Sequence, residues 1–320
     1  MSTMVEKAAK PQTECRVNPR FHVRMAYACS VYLAVALFVS WLAAIRIEYV
    51  LQFAIAFTAA SAMVLLLPIF WHTRRKWNLR DAALTIPWIF VLVMILPLPI
   101  LPAARLRMPL QDGHFAVLDQ ALGVKVPALM SWASRHWLGM LVNRSYAILT
   151  PLLTVSFWFP ALTGKVRHAQ RFLVANLAIF TIGLPLFALF PAIGPWYGYH
   201  FAPTPDQLKC QSSILALRLP GHFVFRAAPI VCFPSFHVAW AIVCATAYWG
   251  FRPLRFPAAL LAGMIIVSTM TTGWHYFSDV LGGIVLACLS LAIANLFTRN
   301  CESHCRQPEA GSVQRGPETV

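Results

Sequence analysis

The stretch from Cys232 to Val285 decides the reading. It opens with CFPSFHVAWA (232–241), continues through apolar residues, and reaches TTGWHYFSDVLGG at 271–283. His237 and His275 bracket two apolar segments, Val238 to Phe251 and Phe256 to Met270. At about 1.5 Å per residue, each is just long enough to cross a hydrocarbon core as a helix. The turn Arg252-Pro253-Leu254-Arg255 lies between them. A chain that crosses, turns and crosses back returns to the side it left, so both histidines are expected at one membrane face. Asp279 follows His275 by four residues, and positions four apart share a helix face. A lone acid in an apolar run is costly unless it finds a partner, and His275 is within reach.

Outward from this stretch, the composition agrees. The chain has 320 residues, 59% hydrophobic and only 12% charged. That excludes an ordinary soluble domain and points to an all-α polytopic membrane bundle. The net charge of +15 does not imply nucleic acid, because the basic residues form short clusters between apolar runs. Spans are expected at Met25–Ile45, Tyr49–Trp71, Ala82–Leu101, Tyr146–Leu162, Phe172–Phe190, the two of the hairpin, and Ser278–Phe297. Pro87 and Pro97 are expected to kink the third. The organisation is then a polar tail (1–24), two added spans (25–81), a six-span core (82–298) and a second polar tail (299–320). Between spans, Phe115–Leu122 and Val126–Leu141 read as amphipathic pieces of a long connection, Pro102 to Asn143. A second connection, Pro191 to Phe236, precedes the hairpin.

Most of the 26 lysines and arginines fall on one set of connections: the first tail, Arg74-Arg75-Lys76 with Arg80, Lys165 with Arg167 and Arg171, the hairpin turn, and the last tail. Positive charge marks the cytoplasmic side, so both tails are expected inside and His237, His275 and Asp279 outside. In a bacterium that is the periplasmic face of the inner membrane; in a eukaryote it would be the lumenal or outer side. Cys210 and Cys232 share the outward connection and are candidates for a disulfide. Cys301, His304 and Cys305 are too few for a metal site by themselves.

PSFH followed by HYFSD resembles the second and third motifs of the type-2 phosphatidic acid phosphatase superfamily. The flanking residues, PSFHVAW and HYFSDVLG, are closer to the branch of inositol phosphorylceramide synthases and related bacterial membrane proteins. LDQALG (118–123) and LFPAIGP (189–195) are weaker echoes. The resemblance implies a six-span phosphatase-like core and a membrane lipid phosphatase or head-group phosphotransferase. Its substrate would be a lipid phosphate or phospholipid, and no cofactor or metal is implied. His275 would be the nucleophile, Asp279 would orient it, and His237 would be the general acid and base. Ser235 and the start of its helix would hold phosphate oxygens. Ser268-Thr269 stands where the family pattern has Ser-Arg, so Thr269 occupies a phosphate-binding position without its cation. Arg218 is the favoured replacement, with Lys209 and Arg226 as further candidates. Phe236 replaces a family glycine and is a candidate for shaping a lipid pocket. Three other readings remain open: a catalytically inactive scaffold; a transporter-like protein, since ionisable residues within spans also mark transport paths; and, ranked lowest because His237, His275 and Asp279 lack carboxylate-rich support, a metal-binding membrane protein.

Overall fold

The computed structural model describes residues 19–43, 83–219 and 231–299; the expected span at Tyr49–Trp71, Arg226 and the last tail lie outside them. All regular structure among the described residues is helical. In chain order the helices are α1 (Pro19–Leu42), α2 (Pro87–Ile95), α3 (Ile100–Arg105), α4 (Asp112–Ala121), α5 (Val126–Arg135), α6 (Trp137–Leu162), α7 (Val166–Leu189), α8 (Pro195–Gly198), α9 (Pro205–Leu217), α10 (Phe236–Ala247), α11 (Arg255–Thr271) and α12 (Phe277–Arg299). Among the described residues, six segments are long and apolar enough to cross a membrane: Arg20–Leu42, Ala83–Arg105, Trp137–Leu162, Val166–Leu189, Arg252–Thr271 and Phe277–Arg299. The chain is thus an all-α polytopic bundle.

α7 is the central post. It packs against α1, α2, α3, α6, α10 and α12, and its apolar residues are buried on nearly every side. The outer helices instead split their apolar residues between core and lipid. On α1, Phe21, Met25, Cys29 and Ala36 face inward at helical spacing, while Tyr27, Val35, Phe38 and Trp41 face out. A helix that is apolar all round belongs in hydrocarbon, where an exposed Trp or Phe carries no penalty.

Prolines break the second described span. α2 and α3 are separated by a turn at Leu96–Pro99, around the expected Pro97. Proline cannot donate to the helix ladder, so neighbouring carbonyls need other partners. The Leu96 carbonyl finds one in the Tyr32 hydroxyl of α1, at 2.8 Å.

Two expected boundaries differ. The amphipathic piece Val126–Leu141 is interrupted at His136, whose extended backbone separates α5 from α6. The next span therefore starts at Trp137 and takes in Asn143 and Arg144, whose polarity lowers the hydropathy of its first turns. The expected span Val238–Phe251 is only the 12-residue α10, about 18 Å long. It sits inside the bundle: Val238, Ala239, Ala241 and Cys244 are fully buried. Small side chains suit that position, because α6, α7, α11 and α12 all pack on it. Phe236 proves to be a core residue. It is packed against Phe180, Trp240 and the bare backbone of Gly183 on α7, where a Cβ would lie 2.3 Å from its ring.

α10 and α11 form the expected hairpin, joined through Arg252–Leu254. His237, at the start of α10, and His275, just past the end of α11, meet at the same end of the bundle, with ring centroids 5.6 Å apart. The short helices α4, α5, α8 and α9 gather near that end: α4 contacts α8 and α12, α5 contacts α6 and α11, and α9 holds the end of α11 through Gln207.

Candidate active site

The site is built on two helix ends. Ser235 is the N-cap of α10 and accepts a hydrogen bond from the Val238 N–H at 3.4 Å. Its own N–H donates to the Asp279 carbonyl at 3.1 Å, which joins the start of α10 to the start of α12. His237 follows two residues later. Its ring stacks on Tyr146 of α6, with centroids 4.6 Å apart and planes 15° from parallel. Tyr146 in turn lies parallel to Trp274 at 6.4 Å. The His237 ring is thus held in an aromatic stack and is only partly buried.

The end of α11 positions the second histidine. Gly273 takes a left-handed conformation (φ 74°), which a glycine adopts without strain. The chain then folds back, and the Thr269 carbonyl accepts the N–H groups of both Trp274 (3.1 Å) and His275 (3.0 Å). Gln207 of α9 donates to the carbonyls of Thr272 and Gly273 at 3.3 and 3.1 Å. Orphan carbonyls at a helix end are thus satisfied by a buried amide. The Thr269 hydroxyl donates to the Ile266 carbonyl at 2.7 Å, so Thr269 reaches His275 through its backbone.

His275 Nδ1 lies 3.4 Å from Asp279 Oδ2, the i,i+4 contact expected from the spacing. Oδ2 also accepts from the Tyr276 N–H at 2.9 Å and from the Cys232 thiol at 3.1 Å. Asp279 Oδ1 is buried without a hydrogen-bond partner among the described residues. Burial pushes the His275 imidazole down to about 4, against an opposing hydrogen bond to the Cys232 backbone, so the ring is neutral near pH 7. Burial also pushes the Cys232 thiol up, which keeps its proton available for Asp279.

Asp112 and Asp119 were not singled out in the sequence, yet both end in this site. Asp119 Oδ2 accepts the Phe277 N–H at 2.7 Å and Oδ1 the Ser278 N–H at 2.8 Å, capping α12 from α4. Asp112 accepts the N–H groups of Ile193 and Gly194, at 3.0 and 2.8 Å, and the Tyr276 hydroxyl at 3.0 Å. Burial raises the Asp112 carboxyl, and these donors act against that shift. Three of the chain's eleven acidic residues therefore converge on Tyr276–Asp279. The signal was present: Asp119 sits in LDQALG, and Ile193 and Gly194 sit in LFPAIGP.

His237, His275, Asp279, Ser235 and Thr269 are thus brought together. Arg218 is placed differently. It closes α9 and donates to the Met108 carbonyl. Along the helix it is roughly 16 Å from Gln207, the α9 residue that touches the end of α11. Lys209 lies exposed on α9. The candidate Cys210–Cys232 disulfide is not formed, and both side chains are buried. Cys232 is turned toward Asp279, whereas Cys210 packs in a cluster with Ile214, Leu217, Ile193 and Trp196.

A sequence model of the PAP2 superfamily matches residues 113–293, from α4 into α12. The match covers more than half of the chain, and the chain belongs to the PAP2 superfamily. With the six long apolar helices among the described residues, this membership supports an integral membrane protein of phosphatase type. No curated protein and no solved structure gives a match.

Proposed function

We propose that the chain is a lipid phosphatase or lipid head-group phosphotransferase that works through a phosphohistidine on His275. The observation that carries this reading is the His275–Asp279 contact with His237 5.6 Å away, at one end of a membrane bundle. The neutral His275 presents to phosphorus the ring nitrogen remote from Asp279, and the N–P bond forms as the P–O bond to the lipid alkoxide breaks. Asp279 fixes the tautomer and stabilises the developing imidazolium. Burial, and then the neighbouring His275, hold His237 down to about 3 in the resting chain. It takes up a proton as the anionic phosphate arrives, gives that proton to the departing alkoxide, and then takes one from the incoming water or alcohol, which attacks the phosphohistidine. Ser235 and the N–H groups opening α10 receive phosphate oxygens, since a helix N-terminus favours an anion. Arg218 would have to leave the Met108 carbonyl to join them.

The head group sits at the outer interface with its tails between spans. In the branch suggested by PSFHVAW and HYFSDVLG, the acceptor is a second lipid or polyol hydroxyl. The basic clusters favour both tails in the cytoplasm and the site on the opposite face, which in a bacterial inner membrane is the periplasmic side.

A second reading, an inactive scaffold, is favoured by one observation: the Thr269 hydroxyl and the Arg218 guanidinium are both engaged by backbone carbonyls. The deciding experiment offers purified protein a panel of labelled lipid phosphates, with and without alcohol acceptors. Labelled phosphate should be trapped on the wild type and map to His275. Undiminished trapping in correctly folded His275→Ala would sink the nucleophile. No turnover and no trapping with any lipid favours the scaffold.

A further inference from the structure

The reaction proposed above gives Cys232 no step, yet its sulfur is aimed into the centre of the site. Sγ lies 3.1 Å from Asp279 Oδ2, which is itself 3.4 Å from His275 Nδ1, and one donor atom from each residue falls within 4.8 Å of the others. All three residues are buried. A zinc ion with bonds of about 2.0–2.3 Å to sulfur, nitrogen and oxygen sets tetrahedral neighbours about 3.3–3.6 Å apart. The sulfur–oxygen and nitrogen–oxygen separations of 3.1 and 3.4 Å lie close to that, and small side-chain shifts bring the whole set, now within 4.8 Å, to it. We propose that Cys232, His275 and Asp279 form a three-ligand site for zinc or a similar soft divalent ion, and that the ion holds the enzyme idle.

The donor chemistry selects the ion. One thiolate, one imidazole and one carboxylate suit zinc, whereas magnesium and calcium prefer oxygen alone. The buried Asp279 Oδ1 without a hydrogen-bond partner offers a second oxygen to the same ion. Binding releases the thiol proton of Cys232 to solvent. The His237 ring lies 5.6 Å from that of His275 and is partly exposed, so the cluster sits close to the exposed edge of the site. The sequence alone offers only His237, His275 and Asp279; the fold adds the sulfur from the segment just before PSFH.

The inhibitory part rests on the proposed reaction: zinc on His275 and Asp279 takes the lone pairs that orient the nucleophile. The binding part does not depend on it. Full-length protein, stripped with chelator in detergent, is titrated with cobalt(II), then with zinc in competition. The wild type should bind one equivalent and show a thiolate-to-cobalt charge-transfer band. Cys232→Ser should lose the band and weaken zinc binding by about tenfold or more, as expected for loss of a ligand. Cys210→Ala should keep both. Absence of stoichiometric binding in the wild type, or an unchanged band and affinity in Cys232→Ser, overturns the site. In the activity arm, the ratio of rates with and without zinc is compared within each protein. Zinc should suppress turnover of the wild type and of Cys210→Ala, and leave that of Cys232→Ser near its own zinc-free rate. Equal suppression in Cys232→Ser overturns the inhibitory role, while a protein that binds cobalt but turns over no lipid faults the proposed reaction instead.

Discussion

Asp119 Oδ1 accepts the backbone N–H of Ser278 at 2.8 Å, across 159 residues of chain. With Oδ2 on the Phe277 N–H, one carboxylate satisfies two free donors at the start of α12 and so sets where Asp279 begins. Asp119→Ala should cost about 1–2 kcal/mol, the usual worth of a helix cap, and Asp119→Asn less. Thermal unfolding in detergent measures this. An Asp119→Ala protein as stable as wild type would show that the cap is dispensable.

The two histidines should fail in different ways. His275→Ala should abolish turnover with every substrate. His237→Ala removes the proton donor, so alkyl phosphates should slow by about 10²–10⁴-fold while an aryl phosphate, with its better leaving group, slows less. Equal losses on both substrates would remove His237 from the role of acid.

The pH profile follows from burial. An imidazole held down to about 4 is deprotonated, hence nucleophilic, at any pH above that value. It is lost to protonation only below. The acid limb of kcat/KM should therefore lie near pH 4 rather than near the ordinary histidine value of about 6.5. A limb centred near 6.5 that persists in His237→Ala would contradict the burial argument.

Gly183 on α7 leaves room for the Phe236 ring, where a Cβ would lie 2.3 Å from Cε1. Gly183→Ala should destabilise the bundle by about 1–3 kcal/mol, the cost of overpacking. Phe236→Leu in the same chain should restore part of that stability. Denaturation of the single and double variants tests the pair, and additive losses would mean the contact is not the cause.

Much of this was legible because membrane spans and helix spacing are local signals. The hairpin that joins His237 to His275, and the reach from His275 to Asp279, both follow from counting residues. α10 misled because the apolar run from Val238 to Phe251 has the length of a short span, and nothing local says that its last residues turn at Tyr248–Phe251. The start of α6 misled in the other direction. Asn143 is polar, but it accepts the Thr271 hydroxyl at 2.6 Å, a partner 128 residues away. Asp112, Asp119 and Cys232 likewise act through contacts 42 to 164 residues distant, which periodicity cannot announce. The disulfide expectation failed for the same reason: a shared loop says nothing of which way each sulfur points.

The 5.6 Å between the rings of His237 and His275 also imposes an order in time. Under the proposed reaction, His275 holds the phosphoryl group on one side and a single oxygen, served by His237, stands on the other. The departing alcohol and the incoming acceptor must use the same seat beside His237. The first product has to vacate it before the second reactant arrives, so the kinetics are ping-pong, and the two alcohols compete with each other rather than assembling together. Because each half-reaction inverts phosphorus, a chiral phosphate passed through both leaves with the handedness it brought.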